Sequence, residues 1–227
     1  MILLITDTSG KHGSVALAGA AESTPPDRVQ LIEAVPLAGG TFSAQLVPQI
    51  AALLTKHSLR KADIGAFVVV SGPGSFTGLR VGLAAIKALA EILQKPIVPV
   101  SLLEVVALAG GTQGKVVAVL DAGRREVYVG EFYVANESAQ LLREQLVPQS
   151  DLPTVARESA VVTPDQLVAQ IGRDAGLALS LVDPPGAERI ARLGWSKMQA
   201  RQTVIPVELE ANYIRRSDAE IFAKSSP

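Results

Sequence analysis

The sequence predicts an α/β protein of two lobes, each a mixed sheet with flanking helices, and three observations carry that prediction. The apolar run Met1–Asp7 (MILLITD) closes on an aspartate and is followed by turn residues and a return strand, Ser14–Ala18. The order strand, aspartate, turn, return strand restarts at Val116–Asp121, Ala122–Arg125 and Glu126–Val134, with Asp121 in the place of Asp7. A repeat of this kind points to two similar halves facing one another across a cleft. Between the two, Phe67–Val70 runs through a glycine-rich joint into a long apolar helix, the strand-to-helix step from which α/β layers are built. We divide the chain into an N-terminal lobe, 1–104, and a smaller, divergent C-terminal lobe, 105–227.

Taken in order, Met1–Asp7 is continuously apolar, the pattern of a central strand buried on both faces. Thr8–Gly13 has turn chemistry and Ser14–Ala18 returns as a hairpin; after the polar, proline-containing loop Ala20–Asp27, Val29–Pro36 gives a third strand. Ser43–Lys56 places Leu46, Ile50, Leu53 and Leu54 at helical spacing, and Pro48 either opens its first true turn or kinks it. No charged residue stands between Ser43 and Thr55, fewer than a water-covered helix carries. Ile64–Ser71 is a buried strand. The helix that follows, from about Thr77 to Leu93, carries only Arg80, Lys87 and Glu91 as charges, along one narrow stripe. A helix apolar nearly all round is covered on two sides; its own sheet supplies one cover, and a second helix or a second protein must supply the other. Pro96–Ser101 is a strand and Leu102–Leu108 a short helix. Beyond the repeated hairpin, Val161–Thr163 leads into a helix through Ile171, Leu179–Asp183 is a strand, and Ala187–Arg201 is a helix bearing the single tryptophan, Trp195. Val207–Arg216 reads as an irregular tail.

The joint itself is Ser71–Arg80, SGPGSFTGLR, with Gly72, Gly74 and Gly78 inside seven positions. Ser75 or Thr77 can cap the helix by accepting from an amide of its first turn. Free amides and the positive end of a helix dipole give such a loop the look of a phosphate cradle. The spacing Gly72-x-Gly74-x-x-x-Gly78 is, however, one residue longer than the dinucleotide fingerprint, and no Gly-Lys-Ser/Thr follows as in a P-loop. Close packing of the helix on the sheet and on a neighbouring helix is the preferred reading of these glycines.

Composition narrows the function. The 227 residues are 48% hydrophobic and 19% charged, with a mean hydropathy of +0.30, which leaves apolar surface for a partner. The net charge is −1 and the basic residues form no block, against tight nucleic-acid binding by this chain alone. Cysteine is absent, so disulfides and thiolate metal sites are excluded. The opening residues lack a basic region followed by an apolar signal core, and no apolar run approaches membrane-spanning length; a cytoplasmic protein with no membrane contact is expected.

On these residues the chain resembles the TsaB (YeaZ) family. The resemblance rests on the opening ILLITDTS and SVAL, on GPGSFTGLRVG, on VSLLE at Val100–Glu104, on LDAGRREVYVGEFY from Leu120, and on ANYIRR at Ala211–Arg216. GPGSFTGLR is the most specific of these and the aspartate hairpin the weakest alone. The resemblance implies the fold of the actin, sugar-kinase and heat-shock ATPase superfamily. It also implies a non-catalytic scaffold or activating subunit that binds a TsaD-like transferase through the two N-lobe helices. With a TsaE-like ATPase, that transferase moves a threonylcarbamoyl group from an adenylate onto N6 of the adenosine beside the anticodon, in tRNAs reading codons that begin with A. Here the helices would be Ser43–Lys56 and Thr77–Leu93, the two already singled out by their few charges. Leu46, Ile50, Leu53 and Leu83 are expected to supply the buried area, with Arg80 and Lys87 flanking the contact and helping to choose the partner. No cofactor is expected on this chain alone; ATP and magnesium would belong to the partner subunits, and tRNA would be reached only through the complex. The same apolar helices would equally serve a homodimer. One departure concerns Phe42-Ser43, where the family usually opens the first helix with His-Ser; the loop Ala20–Asp27 is also longer than usual.

Two other functions compete. A phosphotransferase of the same superfamily would use Asp7 and Asp121 around magnesium and phosphate. Against it, each aspartate can simply accept hydrogen bonds from its own turn. The second half also lacks a glycine-rich adenosine loop, since no glycine follows Thr163, Pro164 and Asp165 until Gly172. A peptidase would need a His-x-x-x-His pair or a serine elbow with a base; His12 and His57 lie far apart, and Ser75 has no evident histidine.

Overall fold

The computed structural model describes residues 1–215, and among them ten strands form two five-stranded sheets. In the first, β1 (Ile2–Asp7) pairs antiparallel with β2 (His12–Gly19) and β2 with β3 (Gln30–Ala38), while β1 runs parallel to β4 (Ile64–Gly72) and β4 to β5 (Ile97–Ser101). The second sheet repeats this wiring strand for strand. There β6 (Gly114–Gly123) pairs antiparallel with β7 (Glu126–Ala135) and β7 with β8 (Ser138–Pro148), while β6 runs parallel to β9 (Ala160–Thr163) and β9 to β10 (Leu179–Leu181). The strand orders are β3-β2-β1-β4-β5 and β8-β7-β6-β9-β10, so the repeat read from two aspartate hairpins extends over all five strands.

The helices follow the same period: α1 (Phe42–Lys56), α2 (Phe76–Leu93) and α3 (Leu102–Ala109) in the first half, α4 (Leu152–Val155), α5 (Gln166–Asp174) and α6 (Ala187–Gln199) in the second. The third helix of each half does not stay with its own strands. The described residues form two compact units: Met1–Ser101 with Gly186–Asn212, and Leu102–Pro185 with Tyr213–Arg215. A boundary between 104 and 105 therefore misses two features, because α3 packs on β6–β9 and α6 packs across β1–β5. The physical reason is that each strand-rich layer has two apolar faces and its own half covers only one.

In the first unit, Leu4, Val15, Leu17, Phe67 and Val69 meet α1 and α2 through Phe42, Leu46, Ile50, Leu53, Leu79, Leu83 and Ile86. The opposite face is closed by α6, where a Cβ on Gly194 would run into Val68, so only glycine lets helix and strand come this close. The Trp195 indole N–H donates to the Thr24 carbonyl (2.7 Å) and Gln199 Nε2 to the same oxygen (3.0 Å), which pins the long loop after β2 to α6. In the second unit, alternate residues of β6 part to two cores: Val116 and Ala118 to α3, Val117 and Val119 to α4 and α5.

Candidate functional site

The glycine joint is a packing device. Gly72 has φ +140°, a conformation open to glycine, and it lies against the backbone of Asn212, whose amide donates to the Ser71 carbonyl (2.8 Å). Side chains at Gly74 and Gly78 would strike the carbonyls of Ser9 and Thr8. The turn after β1 is laced to this joint: the Ser75 amide donates to the Ser9 carbonyl (2.6 Å) and the Thr8 hydroxyl to the Gly78 carbonyl (2.8 Å). Ser75 caps α2, accepting from the Gly78 amide at 3.3 Å. Two amides that a phosphate would need are thus already spent within the chain. Phe42, which stands where a histidine was expected by resemblance, is buried with its ring against Gly13 and Gly78.

Each aspartate is held by its own turn. Asp7 Oδ1 accepts from the Ser9 amide (2.9 Å) and the Ser9 hydroxyl (2.6 Å). Burial pushes the Asp7 carboxyl above the usual carboxylate range, and the two Ser9 bonds oppose that rise. Asp121 Oδ1 accepts from the Gly123 amide (3.0 Å), and the Asp121 amide donates to Asp165 Oδ2 (2.7 Å). Burial also raises the Asp165 carboxyl, with the nearby Asp121 charge adding to it and the Asp121 amide opposing. Asp7 belongs to the first unit and Asp121 to the second. His57 Nε2 lies 2.7 Å from Glu33, which also takes Lys56 Nζ at 2.6 Å; these partners hold the Glu33 carboxyl below its usual range and tie the end of α1 to β3. Among the described residues no group of three His, Cys, Asp or Glu could hold a metal ion, and no helix is long and apolar enough to cross a membrane.

The remaining candidate is the outer surface of α1 and α2, where the structure corrects the sequence reading. Leu46, Ile50, Leu53 and Leu83 are 1%, 4%, 2% and 5% exposed, buried in the unit's own core, so they cannot supply a partner's contact area. Most large residues of both helices face the sheet; Phe76 and Ile92, at the two ends of α2, are the exposed exceptions. What else faces outward is small: Ala44, Val47, Pro48, Ala51 and Ala52 on α1, and Thr77, Ala84 and Ala88 on α2 are all exposed. Arg80 is exposed over the Phe76 ring (5.0 Å to its centroid), and Lys87 is half-buried, at the side of this surface. The signal was present in the sequence, because a leucine stripe at helical spacing fixes the opposite stripe as outward.

The stretches that carried the resemblance also meet in space. Arg215 pairs with Glu126 and lies 5.9 Å from the centroid of the Tyr128 ring, bringing the tail to the EVY of the second hairpin; Arg216 falls outside the described residues.

Comparison with known proteins decides the family. Residues 36–171 match the model described as TsaD: tRNA N6-adenosine threonylcarbamoyltransferase, a span of more than half the chain. The tRNA threonylcarbamoyladenosine biosynthesis protein TsaB of Bacillus subtilis is 32% identical over 142 residues, 62% of this chain and 60% of that protein. The chain belongs to the TsaB (YeaZ) family. TsaB of Haemophilus influenzae aligns with this TsaB-family chain at 27% identity over 95% of it and 94% of the relative. YeaZ from Pseudomonas aeruginosa superposes with a TM-score of 0.70 at 24% identity, covering 93% of this chain and 99% of that one, and shares the fold. The ethanolamine utilization protein EutJ of Carboxydothermus hydrogenoformans has the same arrangement at a TM-score of 0.51 and 9% identity, over 86% and 89% of the two chains. The TsaB-family chain thus shares its fold, two sheets of one wiring, with these structures.

Proposed function

We propose that this TsaB-family chain is a non-catalytic activating subunit. It docks the exposed faces of α1 and α2 on a TsaD-like transferase that forms N6-threonylcarbamoyladenosine beside the anticodon of tRNAs reading codons that begin with A. In this reading the TsaE-like ATPase, ATP and magnesium belong to the partner side of the complex, tRNA is met only in the assembly, and the site of action is the cytoplasm. Without the transferase, the same surface serves a homodimer. Family membership supports the pathway, and one observation carries the docking surface. Two adjacent helices present alanines, a valine and a proline to the outside, with no charge on α1 before its last residue, Lys56. Small side chains let a second helix pair approach closely, and Arg80 at the border gives that approach an orientation.

The test is co-purification with a TsaD-family transferase. Ala51→Glu and Ala84→Glu each place a carboxylate in the middle of the surface without touching the core. Both are expected to lower the affinity by at least about tenfold, since burying an unpaired charge at an interface costs more than about 1.4 kcal/mol. Retention of full affinity by both variants would remove the proposal. The phosphotransferase reading gains no support from Asp7 and Asp121, whose turn bonds account for their positions.

A further inference from the structure

Resting on the docking face just proposed, we infer that Pro48 turns the Ala44 carbonyl into an open acceptor. The partner then answers with an N–H or O–H donor at the centre of an otherwise apolar contact. Helix α1 runs unbroken from Phe42 to Lys56 with Pro48 inside it. Proline has no amide hydrogen, so the carbonyl four residues earlier, that of Ala44, loses the donor every other interior carbonyl of the helix has. The threonine hydroxyls at the two ends of the helix are engaged elsewhere: Thr41 donates to the Ala38 carbonyl (3.0 Å) and Thr55 to the Ala51 carbonyl (2.9 Å). Ala44, Val47, Pro48 and Ala51 are all exposed, so water completes the acceptor while the surface is free.

A docked partner removes that water. An acceptor covered by apolar groups alone would weaken the contact, whereas a serine, threonine, asparagine, lysine or arginine opposite Ala44 restores the bond and fixes the register of the two surfaces. No core contact requires the ring, because Pro48 is itself exposed, and mid-helix proline is the least favourable residue for an isolated helix. The residue thus weakens the free helix and gives an apolar face one polar reading point.

Three variants of the full chain test this, with titration against the transferase and melting of the isolated chain as readouts. Pro48→Ala and Pro48→Val both return an amide to the Ala44 carbonyl, and valine keeps the apolar bulk. Both are expected to raise the melting temperature of the isolated chain and to weaken the complex by about tenfold. Undiminished affinity in Pro48→Ala would overturn the inference, as would recovery by Pro48→Val of what Pro48→Ala loses, because bulk would then be the cause. A lower melting temperature in both variants would also overturn it. Ala51→Glu separates the two claims. If it leaves the complex intact, the docking face is wrong; if it breaks the complex while the Pro48 variants bind normally, the acceptor alone is wrong.

Discussion

At Gly78 one hydrogen separates a closed joint from a broken one. A methyl group there would meet the Thr8 carbonyl, a backbone atom that cannot swing aside while the Thr8 hydroxyl donates to the Gly78 carbonyl. Gly78→Ala is expected to cost about 2–3 kcal/mol, read as a lower denaturation midpoint at constant m-value. Gly186, whose Cβ would meet nothing, provides the control, and Gly186→Ala should stay within about 0.5 kcal/mol of the parent. The glycine spacing in the sequence excluded the common phosphate loops and favoured close packing, but the identity of the packed group was not legible. Thr8 and Ser9 lie some seventy positions from the joint, and only the parallel pairing of β1 with β4 brings them there. Asp7 gives a second expectation at this scale. Its carboxyl is raised by burial, so the native state holds the proton more tightly than the unfolded chain, and stability falls as pH rises from the unfolded value through the raised one. Asp7→Asn keeps an acceptor for Ser9 and removes the charge. It should melt higher than the parent at pH 7 and converge with it at acid pH, where both side chains are neutral.

Among the elements, α1 shows how sequence periodicity can identify a helix and still misplace its function. Leu46, Ile50 and Leu53 were legible as one face, and the lack of charge marked the helix as covered, yet those two signals belong to opposite sides. Adjacent positions separate them. Ile50→Glu would bury a carboxylate in the core and is expected to cost about 4 kcal/mol or more, leaving little cooperative unfolding, while Ala51→Glu should shift the melting temperature by no more than a few degrees. Comparable melting of the two variants would show that the helix is not seated as described. The strand β8 was not legible at all. Its eleven residues, SAQLLREQLVP, lie at the edge of the sheet with no residue fully buried, and a register shift opposite Glu131 and Phe132 breaks the alternation that would have marked it. An edge strand needs only one good face and one partner, so its sequence carries half the signal of a central strand. What recovers β8 is the repeat, in which it takes the place that β3 holds in the first half.

For the molecule as a whole, two halves of the same wiring exchange their third helices, and this decides where the chain can be cut. Linear reading places a boundary at 104/105, ahead of the strand-aspartate pattern that restarts at Val116; nothing local in α6 announces that its sheet lies a hundred residues upstream. Its buried residues do the announcing only in space. Ile190, Ala191, Leu193 and Trp195 are 0%, 1%, 7% and 2% exposed, and they close a face on which Leu3, Ile5 and Val68 are completely buried. Burial of each large apolar side chain contributes about 1.5–3 kcal/mol, so losing one whole helix removes an amount comparable with the about 5–15 kcal/mol by which a domain is stable. The fragment Met1–Ser101, although it contains every strand of the first sheet, is therefore expected to bind a hydrophobic dye and to melt without cooperativity. Joining Gly186–Asn212 to it through a flexible linker should restore a sigmoidal melt, because the linker need only let α6 reach its sheet and the entropy of closing a longer loop rises slowly with length. A cooperative melt from Met1–Ser101 alone would mean that α1 and α2 suffice to hold the sheet, and the exchange of helices would then be a matter of arrangement and not of stability.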